Sequence, residues 1–411
     1  MKNIKLGTVP SNYKKTKKGN IIPFDWEVKD FYSCVSIVNG QVDPTNPPYI
    51  DMKHVGLENI EKHTGRLLFI KTAREEKLTS GKYFFNKGTV LYGKIRPELR
   101  KVYYAEFDGI CSADIYPLKP KENLYPKFLK YLITDERFYR FAVSASMRTG
   151  MPKINRDDIG GYYFLIPKKA EQEQIANILS TWDQAIELKE KLIDEKKKQK
   201  TGLMQKLLTG KVRLPSFIGE WKEVKLGKVI REINDKTTEN NQYQVLTSSR
   251  QGIFLQEEYF NKSVASSNNI GYKIIKKGQF TYRTMSDDGS FKFNRLMEYE
   301  EGIVSPAYVV FETTKINPVF LMNLMNDYSF NKHIQKETQG GTRLSLKYNS
   351  LKEFVIKIPS IEEQDAIANV LNIVDKVIEL NQKELEKIKL QKKGLMQLLL
   401  TGIVRVNTQE S

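Results

Sequence analysis

The chain has 411 residues, 40% of them hydrophobic, and a formal net charge of +17 at pH 7. This length leaves room for two or three domains, each with its own hydrophobic core. A surplus of Lys and Arg this large indicates a polyanionic partner, nucleic acid in preference to a membrane surface. Residues 1–168 contain 29 basic and 18 acidic residues, so this segment supplies +11 of the total charge of +17.

The residue types that build metal, disulfide and nucleophile sites are scarce. The only cysteines are Cys34 and Cys111, and too few of them and of the three histidines cluster to form a recognisable metal site. No phosphate-binding GxxxxGK[ST] loop, GxSxG elbow or HExxH motif occurs, so we expect no catalytic residue, metal or cofactor in this chain. The N-terminus lacks the apolar core of a signal peptide, and no apolar run approaches the roughly 18–20 residues of a membrane span. We therefore expect a cytoplasmic protein.

Residues 1–168 have the pattern of a β-rich domain. Short runs of aromatic and β-branched residues, punctuated by Gly, Asn, Asp and Pro, predict strands at Tyr83–Phe85, Thr89–Tyr92 and Tyr162–Ile166. A helix is predicted over Lys127–Thr134.

The tetrapeptide Asn46-Pro47-Pro48-Tyr49 resembles the active-site motif of adenine-N6 methyltransferases. In those enzymes the Asn side chain and a Pro carbonyl hold the target amino group, and the Tyr stacks on the flipped base. The motif should close an apolar strand and be accompanied by a glycine-rich loop for S-adenosylmethionine. Residues 40–45 are not apolar, and no such loop occurs elsewhere. The sequence favours a proline-rich turn that leads into a strand over Tyr49–Met52.

Basic residues in predicted loops are the stronger functional signal. Arginine can bind guanine or phosphate, while small polar residues and backbone amides fix the register on the DNA backbone. A solvated surface loop is the alternative for any single arginine, but similar loops recur in both halves of the chain. The candidate DNA-binding residues are Lys94, Arg96, Arg100, Arg148 and Lys153 in the first half, and Arg283, Arg343 and Lys347 in the second.

A long helix is predicted after the first domain, within residues 169–213. Good helix formers dominate, proline is absent from 169 to 213, and apolar residues recur at alternating steps of four and three. This spacing is typical of a coiled-coil seam. About 38 residues would make a rod on the order of 55–60 Å long. The seam residues are Ile175, Leu179, Trp182, Ile186, Ile193, Leu203 and Leu207.

Residues 214–361 predict a second β-rich domain. Its candidate strands are Lys273–Ile275, Ala307–Phe311 and Phe354–Ile358, and Val319–Asp327 is a candidate helix. The two domains resemble each other only weakly, so their scaffolds should be similar and their details different.

Residues 362–411 repeat the first helix. Residues 171–213 and 363–405 align without a gap at an offset of 192 positions, and 24 of the 43 pairs are identical. Two helices related by an internal two-fold axis perpendicular to their length would run antiparallel. Both helices are expected to end at a Thr-Gly pair, Thr209-Gly210 and Thr401-Gly402, where glycine allows a left-handed cap. Polar residues within each seam, such as Lys189, Lys200, Asn381 and Lys392, should fix the register of the pair.

The apolar stripe of these helices is wider than a two-helix contact needs, which favours helices of a partner chain packing on it. The candidate partner-facing residues are Ile178, Ala185, Leu188, Leu192, Leu203, Leu207, Leu371, Ile378, Leu395 and Leu399.

Together these features resemble the specificity subunit of type I restriction-modification systems over nearly the whole chain. The resemblance is strongest at the start and the end of each helix repeat. Ile166-Pro167 precedes Glu171-Gln172, Ile358-Pro359 precedes Glu363-Gln364, and a Gly-Leu-Met-Gln…Leu-Leu-Thr-Gly stretch ends each repeat.

The resemblance implies an α+β fold with two β-rich target recognition domains. Two long antiparallel coiled-coil helices would separate them, in a pseudo-two-fold internal repeat. The expected boundaries are 1–168 and 214–361 for the recognition domains, and 169–213 and 362–411 for the helices. Each recognition domain would bind one half of a split, asymmetric target in double-stranded DNA. Two modification subunits would dock on the helices and carry the S-adenosylmethionine chemistry, restriction subunits would add ATP-driven translocation and cleavage, and the chain itself would catalyse nothing.

Two alternatives remain at this stage. The chain could be an adenine-N6 methyltransferase that uses Asn46–Tyr49, which predicts that the chain alone binds S-adenosylmethionine. It could also be a coiled-coil scaffold without DNA specificity, which predicts equal affinity for all duplexes.

Overall fold

The computed structural model describes residues 11–16, 19, 21–147, 150–260, 268–337 and 344–407. The chain forms two compact units: unit 1 comprises residues 1–190 and 384–411, and unit 2 comprises residues 191–383. Each unit therefore combines one β-rich domain with parts of both long helices. The predicted boundaries lie instead at the junctions between domains and helices.

Unit 1 begins with short strands and short helices. Its strands are β1 (Tyr13–Lys15), β2 (Ile21–Pro23), β3 (Glu27–Asp30), β4 (Val35–Ile37), β5 (Lys53–Val55), β6 (Lys71–Thr72), β7 (Tyr83–Phe85), β8 (Val90–Gly93), β9 (Val102–Tyr104), β10 (Gly109–Cys111), β11 (Ile115–Pro120) and β12 (Tyr163–Ile166). Its helices are α1 (Phe31–Cys34), α2 (Ala73–Glu76), α3 (Pro126–Thr134), α4 (Glu136–Ser146), α5 (Arg156–Gly160) and the first part of α6 (Lys169–Leu207).

Two four-stranded sheets organise the domain of unit 1, with strand orders β6-β5-β10-β7 and β4-β11-β8-β9. In the second sheet β8 and β11 are antiparallel, with Tyr92 opposite Tyr116. Buried aromatic residues, among them Trp26, Phe128 and Phe138, join this sheet to α3 and α4 in the main core. Burying a large apolar side chain contributes about 1.5–3 kcal/mol, so this core fixes the ends of β8 and β11.

Unit 2 follows the same plan. Its strands are β13 (Lys222–Lys225), β14 (Ile230–Ile233), β15 (Leu246–Ser249), β16 (Gly252–Leu255), β17 (Lys273–Lys276), β18 (Phe280–Arg283), β19 (Met285–Ser286), β20 (Asn294–Arg295), β21 (Glu301–Val304), β22 (Tyr308–Thr313), β23 (Leu344–Ser345) and β24 (Val355–Ile358). Its helices are α7 (Gln256–Phe260), α8 (Pro318–Met325), α9 (Tyr328–Glu337), α10 (Tyr348–Leu351) and the first part of α11 (Ile361–Leu400).

The central sheet of unit 2 has the order β14-β22-β18-β20. β18 and β22 are antiparallel with Tyr282 opposite Val309, which matches the pairing of β8 with β11 in unit 1. The stacked rings of Phe280 and Phe311, 5.1 Å between centroids, lie in its core. The two weakly similar domains predicted from the sequence thus share one hydrogen-bonding framework.

Most predicted elements are confirmed, with one clear error. The strands predicted around Tyr83–Phe85 and Thr89–Tyr92 are β7 and β8, and the helix predicted over Lys127–Thr134 is α3. The predicted strand Tyr49–Met52 is wrong, because Tyr49–Asp51 forms a 3-10 turn. The Met52 N–H donates to the Tyr49 carbonyl at 3.1 Å, so the chain is still turning there and the strand begins only at Lys53.

The long helices run antiparallel within each unit. In unit 1, Asp183 pairs with Lys392 and Lys189 pairs with Glu384 at 2.6 Å, so numbers rise on α6 as they fall on α11. In unit 2, Lys200 Nζ lies 2.7 Å from Asp375 Oδ1, which is the Asp183–Lys392 pair repeated at an offset of 192. The predicted antiparallel pair is confirmed, and lysines that interrupt the seam find acidic partners on the facing helix.

The repeated glutamates at the helix starts bind arginines that follow the other helix. In unit 1, Arg405 Nε donates to buried Glu171 at 2.6 Å, and Trp26 Nε1 donates to the same carboxylate at 3.1 Å. In unit 2, Arg213 Nε donates to buried Glu363 at 2.6 Å. Each unit is therefore closed by a clamp that joins the start of one long helix to the residues beyond the end of the other.

The glutamines beside those glutamates anchor each domain to its helix. Gln172 accepts the Tyr125 N–H at 2.8 Å, and Gln364 accepts the Asn317 N–H at 2.9 Å. Both glutamines also donate to the carbonyl of the proline five residues earlier. The motifs that carry the family resemblance thus have a structural role in both units.

The Thr-Gly pairs form the predicted caps. Gly210 and Gly402 have positive φ angles of 69° and 73°. The hydroxyls of Thr209 and Thr401 donate to carbonyls four residues earlier, each at 2.6 Å. Glycine is favoured at this left-handed position because it has no Cβ.

Candidate nucleic-acid interface

Three of the predicted basic residues meet on one face of unit 1. The Lys94 N–H donates to the Asp114 carbonyl at 3.0 Å, and the Arg96 N–H donates to the Pro152 carbonyl at 2.8 Å. Ile95 and Lys153 form a β-bridge between the same segments. Arg96 and Lys153 are exposed, and Lys94 is half-buried. Backbone pairing therefore brings together lysines that are almost 60 residues apart in the sequence.

Tyr116 lies beneath two of the cations in this region. Lys94 Nζ is 5.1 Å from the Tyr116 ring centroid, and the guanidinium of Arg156 is 5.5 Å from it. Burial lowers the pKa of Lys94, and the nearby charges of Lys153 and Arg156 lower it further. Neighbouring cations disfavour the charged form of Lys94, and a bound anion would stabilise that form. This face therefore suits phosphate.

Arg156 was missed by the sequence analysis. Its guanidinium donates to the Val38 carbonyl at 3.1 Å and to the side chain of Asn39, which fixes its position above Tyr116. The Asn155-Arg156 pair starts a short helix, and a basic residue at a helix start has no special sequence signal.

Arg100 contacts neighbouring residues of unit 1, and its predicted role in DNA binding stays a prediction. Its guanidinium forms an ion pair with Glu136 at 2.6 Å and stacks on Tyr139, 3.6 Å from the ring centroid. The hydrogen bond from Arg100 holds the pKa of Glu136 below its usual range. The pair neutralises the charge of Arg100 and joins the loop 96–100 to α4. Arg148 and Arg343 lie outside the described residues.

In unit 2 the equivalent face has the same backbone bonds. The Thr284 N–H donates to the Ala307 carbonyl at 3.0 Å, and the Leu346 N–H donates to the Thr284 carbonyl at 2.8 Å. Arg283, at the end of β18, and Lys347, before α10, are both exposed. The structure therefore places these two predicted residues on neighbouring segments.

The hydrogen bonds define which positions of the two faces correspond. The corresponding pairs are Gly93 and Arg283, Lys94 and Thr284, Lys153 and Ser345, Asn155 and Lys347, and Arg156 and Tyr348. No pair carries the same side chain. The two units hold different chemistry on one backbone framework, with more cations in unit 1 and more hydroxyl groups in unit 2.

The predicted partner-facing residues divide into buried and exposed sets. Leu207, Leu371, Ile378 and Leu399 are buried, and Leu203, Leu395 and Ile178 pack against the cores. Six of these seven residues lie in or pack against the domain cores, Ile378 being the exception, and the predicted partner contact of all seven stays a prediction. Ala185, Leu188 and Leu192 are exposed, and they remain candidates for a partner contact.

The Asn46–Tyr49 segment does not resemble a catalytic pocket. Asn46 is exposed and its side-chain amide donates to Asp43 at 3.2 Å, within a turn. The Tyr49 ring lies 6.0 Å from that of Phe84. The amide that would hold a target base is therefore used in a local turn.

The described residues contain no group of His, Cys, Asp and Glu side chains placed to hold a metal ion. None of the described helices is both long and apolar enough to cross a lipid bilayer.

The comparison with protein families decides the identity of the chain. Residues 3–197 and 218–390 match the sequence model of the type I restriction modification DNA specificity domain. The chain belongs to this family. The two matches cover most of the chain and correspond to the two halves of the internal repeat, so this specificity subunit carries two copies of the family domain.

One curated relative matches over nearly the full length and a second over part of it. The specificity subunit is 27% identical over 432 residues to the type I restriction enzyme MjaVIII specificity subunit of Methanocaldococcus jannaschii, covering 95% of this chain and 96% of that one. It is 35% identical over 154 residues to the type I restriction enzyme EcoDI specificity subunit of Escherichia coli, covering 38% and 34% of the two chains.

Solved structures share the fold. A chain from a structure on complex assembly and conformational transition of the type I restriction-modification system matches with a TM-score of 0.58 at 15% identity, covering 93% of this subunit and 99% of that chain. The specificity subunit of the M. genitalium type I system matches with a TM-score of 0.51 at 15% identity, covering 93% and 97% of the two chains.

Proposed function

We propose that this specificity subunit binds a split, asymmetric DNA sequence, with unit 1 on one half-site and unit 2 on the other. The observation that carries the proposal is that the two units have corresponding faces with the same backbone hydrogen bonds, and that the side chains differ at all five corresponding pairs. Equal frameworks place both faces on DNA in a similar way, while different side chains select different bases. Identical faces would instead be expected for a palindromic target.

The chemistry of each face supports a DNA ligand. On unit 1, Lys94, Arg96 and Lys153 provide cations for phosphates. The ring of Tyr116 lies beneath the Lys94 ammonium group. On unit 2, Arg283 and Lys347 flank Thr284, whose hydroxyl donates to the Ala307 carbonyl at 2.9 Å. Phosphate contacts would position both faces, and contacts with base edges would provide specificity.

We also propose that two copies of a methyltransferase subunit dock on the long helices. Leu188 in unit 1 and Leu380 in unit 2 occupy corresponding repeat positions, and their exposed fractions are 66% and 64%. Ala185 and Val377, one helical turn earlier, also correspond and are also exposed. Exposed apolar patches that recur on both units suit two copies of one partner.

The chain itself is proposed to be non-catalytic. S-adenosylmethionine would be bound by the methyltransferase subunits, and ATP by restriction subunits where these are present. A protein that acts on DNA with such subunits would work in the cytoplasm. The adenine-methyltransferase alternative is disfavoured by the turn that occupies Asn46.

The test is the adenine methylome of cells that express the cognate methyltransferase subunit with and without this chain. A split, asymmetric motif that appears only with the chain is the expected result. Methylation of every duplex alike, or no new motif from soluble proteins, would contradict the proposal. An Asn46→Ala variant distinguishes the alternative, because it should leave the motif and the methylation level unchanged.

Docking is tested with Leu188→Glu and Leu380→Glu, singly and together. A charge placed in an apolar interface should remove one methyltransferase subunit in each single variant and both in the double variant, measured by native mass spectrometry. Leu68→Glu is the matched control, because Leu68 is 57% exposed and lies outside the long helices. Full assembly of the double variant would show that the partner docks elsewhere.

A further inference from the structure

The turn that carries Arg96 on the face of unit 1 has a strained backbone. Arg96 and Arg100 have positive φ angles of 49° and 48°, and they flank the 3-10 turn Pro97–Leu99. This left-handed conformation is unfavourable for any residue with a Cβ. Contacts with neighbouring elements must therefore hold the turn in place.

Arg100 anchors one end of this turn to α4. Its guanidinium forms an ion pair with Glu136 at 2.6 Å and stacks on the Tyr139 ring, 3.6 Å from the ring centroid. The side chains of Arg100 and Glu136 are 27% and 25% exposed, so water and salt screen this pair less than an exposed one. Pro97, inside the turn, is buried. The helix thus stabilises a backbone conformation that the turn alone would not keep.

A second contact holds the backbone of the same turn. The His63 N–H donates to the Leu99 carbonyl at 3.0 Å. His63 is itself left-handed, with a φ angle of 65°. The turn is therefore fixed through its backbone at Leu99 and through a side chain at Arg100.

Unit 2 anchors the corresponding loop, between β18 and β20, from the same position of its helix. The Phe291 N–H donates to the Asn331 side chain at 2.8 Å. Asn331 occupies in α9 the place that Tyr139 has in α4, at the offset of 192. The left-handed residue of that loop is a glycine, Gly289, with a φ angle of 75°. The anchor recurs in both units, whereas in unit 1 the left-handed residues that flank the turn are arginines.

We propose that Arg100 is a positioning residue for DNA binding by unit 1: through Glu136 and Tyr139 it holds the turn that places Arg96 against DNA. This inference rests on the proposed function and deepens it. A turn that is already ordered loses less conformational entropy when DNA binds. Arg100 then acts through Arg96, which differs from the direct DNA contact predicted from the sequence.

The experiment measures the affinity of the whole chain, in complex with the methyltransferase subunit, for a duplex that carries the motif methylated by the wild type. Glu136→Gln is the main variant, because it removes a negative charge from unit 1. Electrostatics alone predicts tighter binding to DNA for a more positive protein. Loss of the anchor predicts the opposite, a roughly 3- to 10-fold weaker complex, because the turn must be ordered on binding.

Asp51→Asn is the matched control. It removes the same charge from unit 1 by breaking the exposed Arg74–Asp51 pair, and it should not weaken binding.

Two variants of Tyr139 test the anchor without changing any charge. Tyr139→Leu removes the ring on which the guanidinium stacks and should weaken binding by a similar factor. Tyr139→Phe keeps the ring and should restore the affinity relative to Tyr139→Leu.

Hydrogen exchange shows whether the turn is loosened or the whole unit is. The N–H groups of Leu99 and Arg100 donate to carbonyls at the start of the turn at 2.9 and 3.0 Å. Their exchange should become faster in Glu136→Gln, while the remainder of unit 1 exchanges as in the wild type.

Arg96→Ala tests whether the anchor acts through Arg96. This variant should bind DNA more weakly than the wild type. In the Arg96→Ala background Glu136→Gln should cause no further loss, because the side chain that the turn positions is already absent.

Three results would overturn the inference. Unchanged or tighter binding by Glu136→Gln would show that the anchor does not serve DNA binding. An equal loss from Glu136→Gln with and without Arg96 would show that it does not act through Arg96, and wild-type affinity in Arg96→Ala would remove the side chain to be positioned. Each of these leaves a wild-type complex that still selects a split motif, whereas a wild type without sequence preference would contradict the proposed function itself.

Discussion

Units 1 and 2 agree at the buried clamps of the long helices and differ on the exposed recognition faces. The clamp of Arg405 on Glu171 in unit 1 is repeated by Arg213 on Glu363 in unit 2, with both glutamates buried. The corresponding exposed positions, such as Lys94 and Thr284, share backbone bonds but not side chains. A buried carboxylate without its cation is strongly unfavourable, so the clamp permits little change, whereas exposed loop positions tolerate substitution.

The comparison also explains which parts of the repeat remained similar. The 24 identities in the 43 aligned pairs include the glutamates, glutamines and Thr-Gly pairs that join helices to domains. The recognition faces share no corresponding side chain among the pairs defined by hydrogen bonds. The two copies therefore share the residues of the helix–domain contacts and have different side chains on the recognition faces.

The largest expected effect is a difference between the two faces in how strongly DNA binding depends on salt. Changing Lys94, Arg96 and Lys153 together to alanine should weaken DNA binding roughly 100-fold near 0.15 M salt and reduce the salt slope by nearly 3, since each phosphate contact contributes about 0.9. The double change of Arg283 and Lys347 should reduce the slope by less than 2. Fluorescence anisotropy over a salt series measures the affinity and the salt slope of each variant. Equal slopes for the two variants would show that the two faces make equal numbers of phosphate contacts.

The second prediction is that the Arg405–Glu171 and Arg213–Glu363 clamps stabilise their units equally. Arg405→Ala leaves the buried Glu171 without its cation and should destabilise unit 1 by about 2 kcal/mol. Arg213→Ala should destabilise unit 2 in the same way. Hydrogen exchange followed by mass spectrometry assigns the change to each unit. The control is Arg74→Ala, which breaks an exposed ion pair with Asp51 and should have almost no effect on stability. If Arg405→Ala increased hydrogen exchange equally in both units, the two clamps would not be independent.

A smaller effect concerns acid stability, where the units differ. In unit 1, Asp183 accepts hydrogen bonds from Lys392, Lys130 and the hydroxyl of Tyr131. Burial raises the pKa of Asp183, but the two lysines outweigh it and the net shift is downward. A carboxyl with a lowered pKa stabilises the fold above its unfolded value, near 3.9, and this contribution is lost as the pH falls through the folded value.

Melting temperatures of the wild type and Asp183→Asn should therefore differ most above about pH 5 and converge as the pH falls toward 3. The residues at the positions of Lys130 and Tyr131 in unit 2 are Met322 and Asn323, which cannot supply the same charge. A constant difference between wild type and variant at every pH would mean that Asp183 acts through packing alone.

The smallest expected effect concerns Tyr116, which has Val309 as its counterpart in unit 2. Tyr116→Leu removes the ring beneath Lys94 and Arg156, and cation–π contacts contribute about 0.5–1 kcal/mol each at exposed sites. DNA affinity should fall about threefold, measured by the same anisotropy assay. Val309→Leu is the matched control and should leave the affinity unchanged, whereas equal losses would assign the effect to the sheet.

The sequence by itself determined the internal repeat, the two long helices, the β-rich character of both domains and the family. These features depend on periodicity and on motifs that lie close together in the chain, such as Glu171-Gln172 and Thr209-Gly210. The repeat also predicted the antiparallel helix pair, because two helices related by an internal two-fold axis perpendicular to their length run antiparallel.

Only the tertiary structure decided which residues share a surface. Lys94 and Lys153 meet through backbone bonds across almost 60 residues, whereas Arg100 is bound by Glu136. Leu207 and Leu188 are both predicted partner-facing residues, yet Leu207 is buried in the core of unit 2 and Leu188 is exposed. Such outcomes depend on long-range packing and on neighbours distant in sequence, which no local pattern of residues records.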